Sequence, residues 1–280
     1  MDRCYGVLDT LPTVTAASLF EPASDGWLPT ELARGPWSPD ALHGGPVAAL
    51  LAGAAEQAGD AEAEGINFSP GRITVDLMRP VPLQPLALEA HVVRPGRKVQ
   101  LIEARLRAGS AEVARAALWR VRTSDIAVPD AAGDAEVRPS PPEEGSYPAE
   151  FRDTWLGFHN GGVEHRFVSG MIGEPGPAVD WIRLRYPVVP DRVASPLQRV
   201  VAAADFGNGV SSVVAWETHA FINPELTVHL LRPAVGEWVC VDAVTRLASH
   251  GMGLAESVLW DQRGRIGRAE QVLLVESMVR

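Results

Sequence analysis

The chain has 280 residues, a net charge of −10, 46% hydrophobic and 21% charged side chains. This is the composition of a soluble globular protein that can bury a full core. The acidic balance argues against nucleic acid as a partner, because its binders need a basic stripe to neutralise phosphates. Two cysteines, Cys4 and Cys240, and seven scattered histidines form no Cys-x-x-Cys or His-x-x-x-His pair. Neither a disulfide framework nor a metal is expected, and no cofactor is predicted.

The N-terminal run Met1-Asp2-Arg3-Cys4-Tyr5 lacks the basic start and apolar core of a signal peptide, so a cytoplasmic location is expected. A loop rich in Gly, Pro and Trp covers 26–45. Residues 46–57 are almost wholly apolar and rich in Ala and Leu, which predicts a helix buried on all sides. The run is too short to span a bilayer, and no membrane span is predicted. Strands are predicted at 72–78, 86–93, 99–107 and 111–121, with Gly96 and Gly109 marking turns. Such a helix is most simply buried by wrapping a curved antiparallel sheet around it.

Residues 123–149 turn to Pro, Asp, Glu, Ala, Gly and Ser, which reads as a linker with a solvated acidic run. The predicted organisation is therefore a first unit over 1–122, the linker, and a second unit over 150–280. In the second unit 151–186 is strand-like. Ser195-Pro196 predicts an N-cap and first turn for a helix over 197–204. Strands follow at 213–219, 226–231, 238–247, 253–261 and 266–275.

The two units repeat one another. Ile73-Thr74-Val75-Asp76-Leu77-Met78-Arg79-Pro80 returns as Leu226-Thr227-Val228-His229-Leu230-Leu231-Arg232-Pro233, an offset of 226 − 73 = 153 residues. The register holds without a gap from Leu101-Ile102-Glu103-Ala104 to Leu254-Ala255-Glu256-Ser257, and from Ala114-Arg115-Ala116 to Gly267-Arg268-Ala269.

Two features resemble a known family. Leu42-His43-Gly44-Gly45-Pro46 resembles the start of the central helix in hotdog-fold thioesterases. The strand ending Arg232-Pro233, followed by Gly236-Glu237-Trp238, resembles the second half of the acyl-CoA thioesterase II family. The resemblance covers 37–121 and 195–276. It implies an α+β double hotdog, two tandem units in which an antiparallel sheet wraps a helix. It also implies hydrolysis of a fatty acyl-CoA substrate by direct attack of water, and a homo-oligomer.

In that family an Asp near the end of the second central helix, a Thr on the next strand and a Gln on the last strand orient the water and bind the thioester. The Asp matches Asp205 and the Gln matches Gln271, whereas the Thr position falls on Asn223, a departure from the pattern. Thr227 offers a hydroxyl nearby, but its repeat partner is Thr74, which points to a structural role. The repeat isolates the same three residues. Copy one has Ala52, Pro70 and Leu118 where copy two has Asp205, Asn223 and Gln271, so one site per chain is expected.

Each candidate has a plainer alternative. Asp205 could cap the turn Phe206-Gly207-Asn208-Gly209, Asn223 could start the turn at Pro224, and Gln271 could be an exposed strand residue. The N–H groups of His43-Gly44-Gly45 could polarise a thioester carbonyl or hold a phosphate, or the glycines could let the helix pack closely on the sheet. With the acid in copy two, this motif is expected to face the empty, pseudo-symmetric site. His229 reads as a strand residue, and Arg79 and Arg232 as structural ion pairs, with contact to CoA phosphates open for either. No P-loop, dinucleotide turn or nucleophile elbow is present. Two other functions stay open: a non-catalytic acyl-CoA-binding protein, and an enoyl-CoA hydratase, which needs an Asp and a His on one loop, a pair not visible here.

Overall fold

The computed structural model describes residues 16–127, 137–147 and 155–278. Cys4 and the rest of the N-terminal run, and the start of the strand-like segment at 151, lie outside them.

Helix α1 (Gly44–Ala61) begins two residues before the predicted start, because the His43 side chain caps it by accepting the Gly45 N–H. Val47, Ala48, Ala49, Leu50, Leu51, Ala52 and Ala55 are all buried, as an all-apolar helix requires. Strands β3 (Phe68–Leu77), β4 (Ala87–Arg94), β5 (Val99–Ala108) and β6 (Ala111–Arg122) curl around it. Before α1 a short hairpin, β1 (Phe20–Ala23) and β2 (Gly26–Pro29), ties the halves together. The N–H groups of Leu19 and Phe20 donate to Pro187 and Val188, both at 3.0 Å, and Trp27 N–H donates to Leu86 O at 2.9 Å.

The second half follows the plan with additions. A single π-helical turn (Phe158–Gly162) leads into β7 (Val163–Ser169) and β8 (Ala178–Leu184). Helix α2 (Pro196–Ala204) opens on the predicted cap, Ser195 Oγ accepting Gln198 N–H at 3.1 Å. One further turn, α3 (Gly207–Val210), follows a break at Asp205 and Phe206. Then come β9 (His219–Ile222), β10 (Glu225–Leu230), β11 (Val239–Leu247), β12 (Met252–Asp261) and β13 (Gly264–Ser277).

All strands from β3 onward form one antiparallel sheet in the order β4-β5-β6-β3-β10-β13-β12-β11-β8-β7, with β9 also on β13. Its centre is a pseudo-two-fold axis. Thr74 faces Thr227, their hydroxyls 3.2 Å apart, and Ile73 faces Val228 just as Val75 faces Leu226. The repeat register is also the pairing register: Leu101 opposes Trp119 as Leu254 opposes Val272, and Val92 opposes Ile102 as Thr245 opposes Ala255. The fold is a double hotdog, and one hydrophobic core fills the space between the helix pair and the inner sheet face.

One expectation is corrected. The strand predicted at 213–219 is mostly loop, and only His219–Ile222 pairs. Ser211, Ser212 and Thr218 turn their hydroxyls onto the carbonyls of Gly207, Val214 and Ala215, local bonds that compete with a ladder. In the linker, the described acidic residues Glu143 and Glu144 are exposed, while their neighbours pack on the second half. Within the described residues 137–147, Ser146 bridges to Phe167, Trp181 Nε1–H donates to Ser140 O at 2.7 Å, and Pro142 is buried.

Candidate active site

The site lies where the start of α1 meets the end of α2. The helices run antiparallel: Gly44 lies against Asp205, Gln198 donates to Ala49 O at 3.0 Å, and Ser195 Oγ–H donates to Glu56 at 2.5 Å. Copy two ends its helix at Asp205, the position of Ala52, where α1 runs on to Ala61. Asp205 is thus the C-cap of α2, only 8% exposed, on the inner side of the sheet.

An isolated buried carboxylate is costly, so its partners matter. Asp205 Oδ1 accepts the Asn223 amide at 2.9 Å and the Gln271 amide at 3.3 Å. Gln271 is 1% exposed, which removes the exposed-strand alternative, and its Oε1 accepts Asn208 N–H at 3.2 Å. Asn223 sits in the gap between β9 and β10 that Pro224 enforces, where β3 has only a bulge at Pro70. An amide here reaches the carboxylate as a donor, in the position where the family resemblance implies a hydroxyl.

The other carboxylate oxygen, Asp205 Oδ2, lies 2.8 Å from His43 Nδ1. The expectation that His43-Gly44-Gly45 faces the empty half is therefore overturned. Antiparallel helices deliver the motif of the first half to the acid of the second. Gly44 is required there, because a Cβ would stand 2.7 and 2.8 Å from the two Asp205 oxygens. Gly45 allows close packing, but against α2 rather than the sheet: a Cβ would stand 2.7 Å from Ala202 O and 2.8 Å from Phe158. The His and Asp that meet here come from the start of one helix and the end of another, not from one loop.

Sequence reasoning missed the aromatic enclosure. The His43 ring lies 4.6 Å from Phe206 and 5.2 Å from Phe158, centroid to centroid. Behind it, fully buried His165 and Asp180 approach to 2.5 Å, with His165 Nε2 3.0 Å from His159 O and the ring edge-on to Phe206. Burial pushes the Asp180 carboxyl up against the pull of His165. Burial, and then the neighbouring His43 and His165, hold His159 down at about 3, so it is neutral. The one sequence signal was Gly161-Gly162, which lets the π-turn pack on Leu156, Leu32 and Phe158.

Thr227 is not brought to the cluster: its hydroxyl is 3.2 Å from that of Thr74 and donates to Glu225 at 2.9 Å. His229 is an exposed strand residue opposite Arg72. Arg232 forms the expected ion pair, a fork onto Asp261 at 2.5 and 2.7 Å. For Arg79 the expectation fails: it is exposed, without an ion pair among the described residues, because the repeat equivalent of Asp261 is Ala108. No group of three or more His, Cys, Asp or Glu positioned for a metal occurs among the described residues. No described helix is long and apolar enough to cross a membrane.

A family model described as the acyl-CoA thioesterase N-terminal domain matches residues 33–121, and one described as the acyl-CoA thioesterase C-terminal domain matches 129–275. The chain belongs to the acyl-CoA thioesterase family. A comparison with curated proteins returns no match. Solved structures similar to this family member include a conserved hot dog fold protein of unknown function from Alicyclobacillus acidocaldarius, 18% identical with a TM-score of 0.69, covering 94% of this chain and 97% of that one. The tesB protein of Mycobacterium avium subspecies paratuberculosis is 16% identical, TM-score 0.63, with coverages of 92% and 96%. The acyl-CoA thioesterase II TesB2 of Mycobacterium marinum is 14% identical, TM-score 0.61, with coverages of 84% and 91%. At these identities the likeness is one of fold. The catalytic reading must come from the residues.

Proposed function

We propose that the protein hydrolyses acyl-CoA thioesters by direct attack of a water molecule whose activation depends on the Asp205 carboxylate. The observation that carries this reading is the composite cluster itself. Two amides hold Asp205 Oδ1, while Oδ2 faces the Gly44 turn and His43 from the other half. A non-catalytic binding protein gains nothing from holding a carboxylate in so apolar a place. In this reading Asn223 and Gln271 fix the carboxylate. The N–H groups at the start of α1 polarise the thioester carbonyl and stabilise the oxyanion that forms as water adds. No covalent intermediate and no cofactor take part.

The Asp205–His43 pair also keeps hydration of an enoyl-CoA in view, since that reaction needs an acid and a base of this kind. One assay separates the readings: release of free thiol from medium- and long-chain acyl-CoAs, beside turnover of crotonyl-CoA to its hydroxyacyl product. Thiol release, lost by roughly 100-fold or more in Asp205→Ala, is the expected result. Unchanged hydrolysis in that variant, or hydration in place of thiol release, would overturn it.

A further inference from the structure

His43 Nδ1 stands in a place with two claims on it. Gly45 N–H points at it from 3.0 Å and Asp205 Oδ2 lies 2.8 Å away. One ring nitrogen cannot accept the first and donate to the second. If Nδ1 keeps its lone pair for Gly45, the proton in the second contact must sit on Asp205, which is then no base. If Nδ1 carries the proton, it donates to an ionised Asp205, and the Gly45 N–H is released.

The partners of Asp205 favour the second arrangement. Its Oδ1 already accepts two amides, and with Nδ1–H on Oδ2 both carboxylate oxygens are satisfied, by three donors in all. Such a carboxylate is built to hold and orient a partner rather than to take a proton itself. The remaining lone pair is on His43 Nε2. It takes no hydrogen bond among the described residues, and the side chain keeps 10% of its exposure. Phe158 and Phe206 flank the ring and limit its rotation.

We propose that His43 Nε2 is the group that takes the proton from the attacking water, with Asp205 of the other half holding its Nδ1–H. This rests on the thioester-hydrolysis reading and assigns the base within it. The water oxygen bonds to the thioester carbon while one of its protons moves to Nε2, and the carbonyl π pair becomes the oxyanion. The same change of hydrogen bond that orients His43 frees Gly45 N–H to receive that oxyanion. On collapse the C–S bond breaks, the sulfur takes the electron pair, and Nε2–H returns the proton to it. The carboxylic acid product leaves, and both enzyme groups are restored.

The test is His43→Asn. Asparagine still caps a helix and accepts the Gly45 N–H, but cannot take a proton. The expected result is a fall in kcat/KM of about 100-fold or more with KM nearly unchanged, and loss of the acid limb of the pH profile. His43→Asn/Asp205→Asn should be no slower than the slower single variant, because the two act as one unit. A His43→Asn enzyme with wild-type kcat and pH profile, beside a dead Asp205→Asn, would show that His43 is only a cap. A second readout needs no substrate: nitrogen NMR of the ring, assigned by its loss in His43→Asn. Nδ1–H in the wild type, converting to Nε2–H in Asp205→Asn, supports the pair; Nε2–H in the wild type overturns it. Absence of thioester hydrolysis in the wild type would sink the functional reading, while the ring spectrum would still decide whether Asp205 holds Nδ1–H.

Discussion

The two ends of the α1–α2 pair are built alike and finished differently. At one end His43-Gly44-Gly45 meets Asp205; at the other the repeat places Pro196-Leu197-Gln198 opposite Ala52. Gly45 has no room for a Cβ against Ala202 O, whereas at the equivalent place Gln198 carries a side chain that donates to Ala49 O at 3.0 Å. The filled end has its own half-buried acid, Glu56, but it is bonded to the helix cap Ser195 rather than held in a cradle of amides. The difference teaches that a polar site here needs, besides the acid itself, a helix start without a side chain and a helix that breaks at the acid.

The comparison can be broken most severely by transplanting the acid alone. Ala52→Asp should cost about 3–5 kcal/mol, because an unpaired carboxylate is buried in a filled space, and urea unfolding should show this with no gain in turnover. Glu56 offers the next effect. Burial raises its carboxyl from 4.5 to about 7. Its folded value thus lies above its unfolded value, so its stabilisation is complete below about pH 4.5 and is lost as pH rises through 7. The slope should amount to at most about 3 kcal/mol between pH 4 and 8, and Glu56→Gln should flatten it.

Filling the cradle tests the other end. Gly44→Ala should lower kcat by about 100-fold, since a 1 Å displacement of the acid is costly, and the fold should survive. The same change at Leu197, its repeat partner, should leave kcat within about threefold while costing stability of about 2–5 kcal/mol. The smallest contrast lies in the paired arginines. Arg232→Ala should cost about 1–2 kcal/mol, because Asp261 stays buried with only N–H partners. Arg79→Ala, at an exposed unpaired position, should stay within about 0.5 kcal/mol. Thermal melts of the pair would read the difference.

Most of the fold was legible because its signals are local or repeated. The apolar run of α1, the glycines at turns and the constant 153-residue spacing, which is also the spacing of the facing pair Thr74 and Thr227, each bear directly on the chain. The exception at 213–219 failed because hydroxyl-to-backbone bonds are invisible to a hydropathy pattern. The site was legible in its residues and not in its assembly. Comparing copies picked out Asp205, Asn223 and Gln271, and the structure brings all three into contact. The same comparison placed His43 at the wrong end, since an offset along the chain carries no information on helix direction. Phe206 falls on Gly53 under the same offset, and Phe158 and the His165–Asp180 pair lie outside the stretches where the repeat is recognisable.

The crossed delivery of the motif has a consequence for what each half holds. A pair made of two first halves would set each His43-Gly44-Gly45 against an alanine, and a pair of two second halves would set each Asp205 against Pro196-Leu197-Gln198. Neither half retains a complete set, even when matched with its own twin. The cluster is thus divided between two unlike halves of one chain, and neither half taken alone carries it whole.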